Sequence, residues 1–181
     1  MAKEWIDIAD TAIKIGLGSI ITGFFTYIGM RLSHTNNQNK FMLEHKTKVL
    51  EKIADDVDFY FSCWNGVISR IAGTTRNMNH DDENIELTSS QYESIKGKDR
   101  RLVESWAQRQ SSISRLRLLK AESASKKLTN AFKLEAELRE SMFFDRKYLN
   151  YNEISEYRED VKNIQKEFQI ELANFYEKLS A

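Results

Sequence analysis

LEHKTKVLEKIADDVDFYFSCWNGVISRI, residues 43–71, decides how this chain is built. Leu43, Leu50, Val57, Trp64 and Ile71 recur at every seventh residue, with Lys46, Ile53, Tyr60 and Val67 between them at spacings of three and four. A strand would send such positions to opposite faces; a helix gathers them on one. The stretch therefore reads as an a/d seam, interrupted only by Lys46. Phe59, Phe61, Cys63 and Ile68 widen the apolar face beyond a two-stranded seam. The helix predicted over 41–73 is thus expected to pack in a bundle, and Gly73 stands where it would stop. Asp55, Asp56 and Asp58 are expected on its polar side.

Downstream, residues 74–98 are polar and irregular and read as a long connection, with a short helix around Ser89–Ile95. A second long helix is predicted over 99–143. Leu102, Trp106, Ile113, Leu116, Leu128, Ala131, Leu138 and Met142 follow a drifting helical period along it, and the apolar-poor AESASKK in its middle marks a bend or a solvent-facing stretch. A third helix is predicted over 152–179, with Asn152 as its N-cap and Ile154, Tyr157, Val161, Ile164, Phe168, Leu172, Phe175 and Leu179 on one face. The chain contains no proline, where average usage would place about nine. Proline breaks helix interiors, so its absence agrees with long unbroken helices. No strand pattern is present. The expected fold is all-α: about three long amphipathic helices in a bundle over 41–181, with coiled-coil-like packing. Leu50, Val57, Trp64, Ile71, Trp106, Val161, Phe168 and Phe175 are the expected seam.

Upstream the character changes. Ile15–Met30 is a run of sixteen uncharged, mostly apolar residues with four glycines. A hydrocarbon core about 30 Å thick needs about 20 helical residues, which the segment 12–33 supplies if the long stem of Lys14 lets its ammonium reach the headgroups. A cleaved signal peptide would want a basic start and a small-x-small cleavage site. The start here is MAKEWIDIAD and the exit MRLSH. A retained single transmembrane helix over 12–33 is expected, after a short tail over 1–11 and before a juxtamembrane hinge or helical stalk over 34–40. Arg31, Lys40, Lys46 and Lys48 outweigh Lys3 and Lys14, which places the C-terminal domain in the cytoplasm, beneath the inner or plasma membrane. Ala12, Gly16, Ser19, Gly23 and Thr26 alternate at spacings of four and three, giving a stripe of small residues. Such a stripe lets helix backbones approach closely in lipid, so it is the expected self-association face.

Charge and chemistry exclude more than they nominate. Formal net charge is zero, so nucleic acid is not an expected partner. Lys and Arg crowd the stretch from Lys96 to Lys127, opposed only by Asp99, Glu104 and Glu122, whereas acid exceeds base from Lys133 onward. Helices of opposite sign lying side by side account for this. Arg100, Arg101, Arg115 and Arg117 are also candidates for facing anionic lipid. His34, His45 and His80 form no metal-ligand spacing, and the His80-Asp81-Asp82-Glu83 cluster lacks the spacing and glycine of a calcium loop. No phosphate-binding loop and no nucleophile elbow occur. Cys63, the single cysteine, reads as a small buried hydrophobe. No enzyme activity, metal or cofactor is expected.

The expected function is a non-enzymatic membrane-anchored helical protein that works by protein–protein interaction or self-assembly. Its partners would be the lipid bilayer, further copies of itself and an unidentified protein. The alternative is a membrane effector of toxin, lysis or anti-phage layout that oligomerises through its span and permeabilises the bilayer.

Overall fold

In the computed structural model, the described residues are 37–76, Met78 and 85–180, and every regular element among them is helical. The expected span over 12–33 lies outside them. Within the described residues no helix is long and apolar enough to cross a membrane.

Helix α1, Asn37–Thr75, is 39 residues long, roughly 60 Å at 1.5 Å per residue. Residues 37–40, expected in a hinge or stalk, are its first turn. Its apolar face is the seam read from sequence: Leu50, Ile53, Val57, Tyr60, Phe61, Trp64, Val67, Ile68 and Ile71 are all buried. Phe59 instead faces solvent and Cys63 is half-buried. Tyr60, Phe61 and Trp64 form an aromatic cluster, with the Phe61 and Trp64 rings stacked at 5.9 Å.

Helix α2, Ser89–Glu104, begins at a capping box. The Thr88 hydroxyl accepts from the Gln91 backbone N–H, and the Gln91 side chain accepts from the Thr88 N–H. Two N–H groups that a helix start leaves orphaned are thereby satisfied. At Ser105 the regular helix is interrupted: the hydroxyl donates to the Leu102 carbonyl at 2.6 Å, and the Ser105 N–H is shared between the Leu102 and Arg101 carbonyls at 3.0 and 3.2 Å. Helix α3, Trp106–Leu118, continues the same leg.

The long second helix expected over 99–143 is corrected here. The chain reverses at Leu119–Ala121, and helix α4, Glu122–Arg139, starts immediately after. The reversal is a Schellman cap. Ala121 N–H donates to the Leu116 carbonyl and Lys120 N–H to that of Arg117, with Lys120 in the left-handed conformation at φ 61°. Buried Leu116 and Ala121 complete the motif with the apolar contact that usually accompanies it. The apolar-poor AESASKK is therefore the start of a new leg. The residues of the drifting stripe are still the ones buried, Leu102, Ile113 and Leu116 on one leg and Leu128, Ala131, Leu138 and Met142 on the other.

A π-turn, Glu140–Phe144, ends α4, with Asp145 N–H reaching back to the Glu140 carbonyl. Helix α5, Tyr151–Ser180, follows. Its cap is Asn150, not Asn152: Asn150 Oδ1 accepts from the N–H groups of Asn152 and Glu153, while Glu153 Oε2 accepts from the Asn150 N–H. The described residues thus form four antiparallel legs, α1, α2–α3, α4 and α5, instead of about three long helices. Residue pairs Thr47–Tyr176 and Trp64–Tyr157 show α5 running antiparallel to α1.

Candidate interaction site

The seam residues sort simply. Leu50, Val57, Trp64, Ile71, Val161 and Phe168 are buried, whereas Trp106 and Phe175 are half-buried and pack against the core. Of the four arginines named as candidate lipid contacts, Arg100, Arg101 and Arg117 are exposed. Arg115 donates to Asp56 at 2.9 Å across the α1–α3 interface. Asp56 is correspondingly buried and also pairs with Lys52 at 2.8 Å, so it does not belong to the polar side of α1. Asp58 is partly buried, and that burial raises its carboxyl above the ordinary range; Gln169 and Gln165 lie beside it and oppose the shift. Ala12, Gly16, Ser19, Gly23 and Thr26 lie outside the described residues, as does the cluster His80-Asp81-Asp82-Glu83.

The most distinctive chemistry sits on α4. Glu135 is fully buried. Its Oε2 accepts from the Tyr60 hydroxyl of α1 at 2.7 Å and from Arg109 Nη1 of α3 at 2.8 Å. Its Oε1 accepts from the Trp106 indole N–H at 2.8 Å. One carboxylate thus ties three legs together, and every donor aims at its negative charge. Burial, reinforced by the Glu135 charge, pushes the Tyr60 hydroxyl far above its ordinary pKa, which keeps it a donor. Burial does the same to Tyr157, whose hydroxyl donates to the Leu134 carbonyl at 2.8 Å.

Arg109 is packed as well as paired, its guanidinium 4.2 Å from the Phe132 ring centroid and near the Tyr60 and Trp106 rings. One turn along the same interface, Arg139 clasps Asp99 of α2 with two bonds, Nε to Oδ1 at 2.7 Å and Nη2 to Oδ2 at 2.9 Å. It stacks over Trp106 at 4.7 Å. That bidentate bond holds the guanidinium above even its usual high pKa.

Beside this network the surface dips into an open depression of about 280 Å³ between α3 and α4, lined by Trp106, Phe132, Glu135, Ala136, Arg139, Glu140 and Phe144. Phe144 is 77% exposed and Phe132 38%. Aromatic side chains of that exposure around a concavity are the usual make-up of a protein-contact surface. Arg109, Glu135 and Arg139 are absent from the sequence reading, and Asp99 enters it only in the charge balance, although a signal was there. Glu135 stands four after Ala131 and three before Leu138, and Arg109 three after Trp106 and four before Ile113. Each charge occupies an apolar-stripe position.

Among the described residues no group of His, Cys, Asp and Glu is arranged to hold a metal. Burial raises the Cys63 thiol, with the charge of Arg101 opposing it, which leaves less of the nucleophilic thiolate at neutral pH. Fold and site together define an all-α four-leg bundle with a buried ion-pair network and an aromatic surface depression. No protein-family model, curated protein or solved structure matches the chain.

Proposed function

We propose that the chain is a non-enzymatic, single-pass membrane protein whose helical bundle works at the cytoplasmic face by protein–protein contact or self-assembly. The observation that carries the reading is the uncharged run Ile15–Met30 placed a few residues before a long, highly charged helix. Two further features support it. The Ala12–Thr26 stripe of small residues suits close contact between spans, and the Trp106–Phe132–Phe144 depression offers the bundle an apolar contact. Tethering in a membrane concentrates weak contacts, so association of spans and of bundles would reinforce each other.

The test is the copy number of the full chain purified in mild detergent, beside the same chain lacking residues 1–34. A defined oligomer for the full chain and a monomer for the truncated one is the expected result, with Gly23→Leu reducing the full chain to smaller species. Full-length protein that stays in solution without detergent overturns the membrane reading. Monomers in both preparations overturn self-association and leave an unidentified protein as the partner. Depolarisation of expressing cells, abolished by Gly23→Leu, would establish the permeabilising effector instead.

A further inference from the structure

The four legs close in a ring, α1 to α2–α3 to α4 to α5, and the seams of that ring differ. Buried apolar side chains, Val161, Phe168 and Leu172 among them, dominate the contacts of α5, and the ion pair that joins it to α4, Lys127–Glu167, is largely exposed. The seam between the α2–α3 leg and α4 is fastened by Asp99–Arg139, Arg109–Glu135 and Trp106–Glu135.

Three observations show that this seam is not built for maximal stability. Buried charge pairs recover little more than their desolvation cost, and well-packed apolar side chains of similar volume often hold helices better. The network is also incompletely satisfied: Arg109 Nε has no hydrogen-bond partner and neither has the nearby Ser112 hydroxyl, while α1 and α5 carry one such atom each, Trp64 Nε1 and Gln169 Nε2; a partly satisfied network is weaker than an apolar contact. Finally, the depression of about 280 Å³ lies on the same seam, so packing there is unfinished.

The covalent layout fixes the direction in which such a seam can part. The tight turn at Leu119–Ala121 joins α3 to α4 at one end. At the other end α2 and α4 are joined to different neighbours; there the Tyr92 and Phe143 rings meet edge-on at 6.2 Å, with Asp99–Arg139 the next contact inward. Ser105, whose hydroxyl donates to the Leu102 carbonyl, interrupts the leg midway between the two fastenings.

We infer that the α2–α3/α4 seam is a polar latch: the bundle opens there, from the Asp99–Arg139 end toward the Lys120 turn, while α1 and α5 stay packed as the spine. Opening frees Glu135 from its donors and brings Tyr60, Trp106 and Phe132 to the surface together. A closed bundle and an open, aromatic-faced one are then two states of the same fold, separated by less than global unfolding.

Hydrogen exchange of the full chain in mild detergent, read by mass spectrometry, tests this. Backbone amides of 99–118 and 131–144 are expected to exchange at least tenfold faster than those of 50–71 and 161–176. The double variant Asp99→Leu/Arg139→Met, which replaces that pair by apolar groups and takes no hydrogen-bond partner from a third side chain, is expected to slow exchange on both sides of the seam at least tenfold and leave the spine unchanged. The milder Asp99→Asn, which loosens one fastening, is expected to speed exchange of the seam alone. Equal exchange in all four legs, or the same change in seam and spine for Asp99→Asn, overturns the latch even if the double variant does not fold.

Discussion

Replacing Glu135 by glutamine keeps the side chain's size and removes its charge, which makes it the sharpest probe of the network. The wild-type carboxylate receives three donors, from Tyr60, Trp106 and Arg109, and none of them has access to solvent through it because Glu135 is fully buried. A glutamine offers one carbonyl oxygen and turns its NH2 toward groups that are themselves donors. Arg109, 5% exposed, is left with an uncompensated charge. Breaking a buried pair by removing one partner costs about 3–5 kcal/mol. Domains of this kind have about 5–15 kcal/mol in all. At about 3 °C per kcal/mol for a bundle of this size, the midpoint should fall by roughly 10–15 °C. Tyr60→Phe is the graded control: it removes one charge-assisted hydrogen bond, leaves the ion pair intact and should cost about 1.5–3 kcal/mol. The assay is urea unfolding of the full chain in mild detergent, followed by far-UV circular dichroism. A loss below about 1 kcal/mol for Glu135→Gln, or a larger loss for Tyr60→Phe, would refute the view that Glu135 is an ionised tie between three legs.

Other outcomes follow from single positions. Lys120 sits at φ 61° where glycine carries no steric penalty, so Lys120→Gly should stabilise by about 0.5–1 kcal/mol in the same unfolding assay; a loss would show that the Lys120 side chain holds the turn. Tyr60 and Tyr157 have hydroxyl pKa values raised by folding. Their contribution is therefore complete below the unfolded value near 10 and declines as pH rises above it, by about 1.4 kcal/mol per pH unit for each. Tyr60→Phe should remove half of that alkaline slope, and an unchanged slope would mean the hydroxyl ionises in the folded bundle. Folding also raises the carboxyl of Asp58, so at neutral pH its charge opposes folding and Asp58→Asn should be neutral or stabilising. Asp56→Asn should instead cost about 1–2 kcal/mol, since Asp56 is buried against Arg115 and Lys52. Thermal midpoints of the two variants at pH 7 should move in opposite directions or leave only Asp56→Asn lowered.

Much of the bundle was legible because burial follows local periodicity. The heptad of 43–71 forecast most of the buried residues of α1, and the stripe from Ile154 to Leu179 did so for Ile154, Val161, Phe168 and Leu172 of α5, while Tyr157, Ile164, Phe175 and Leu179 are half-buried and Tyr176, outside the stripe, is buried. The reversal at Leu119–Ala121 was not legible. Its Schellman cap uses Lys120 at a position where glycine is the usual signal, and an apolar stripe keeps its period across a reversal, so one long helix and two antiparallel legs look alike in sequence. The N-cap of α5 slipped by two residues for a related reason: Asn150 and Asn152 are chemically equivalent candidates, and only the hydrogen bonds separate them.

The amino-acid sequence by itself determined that the chain is helical and which side chains shun water, because both depend on spacing within about two turns. It also set apart the uncharged run Ile15–Met30 before α1, which is visible in composition alone. Only the tertiary structure decided that Glu135, Arg109, Asp99 and Asp56 are interior charges, and Arg139 a half-buried one, rather than solvated. A charge can lie on a core-facing position only if its counter-charge arrives from another leg, and for Arg109 and Glu135 that leg is 26 residues away in the chain. Pairing at that distance is an outcome of how the legs stack, which no local pattern encodes.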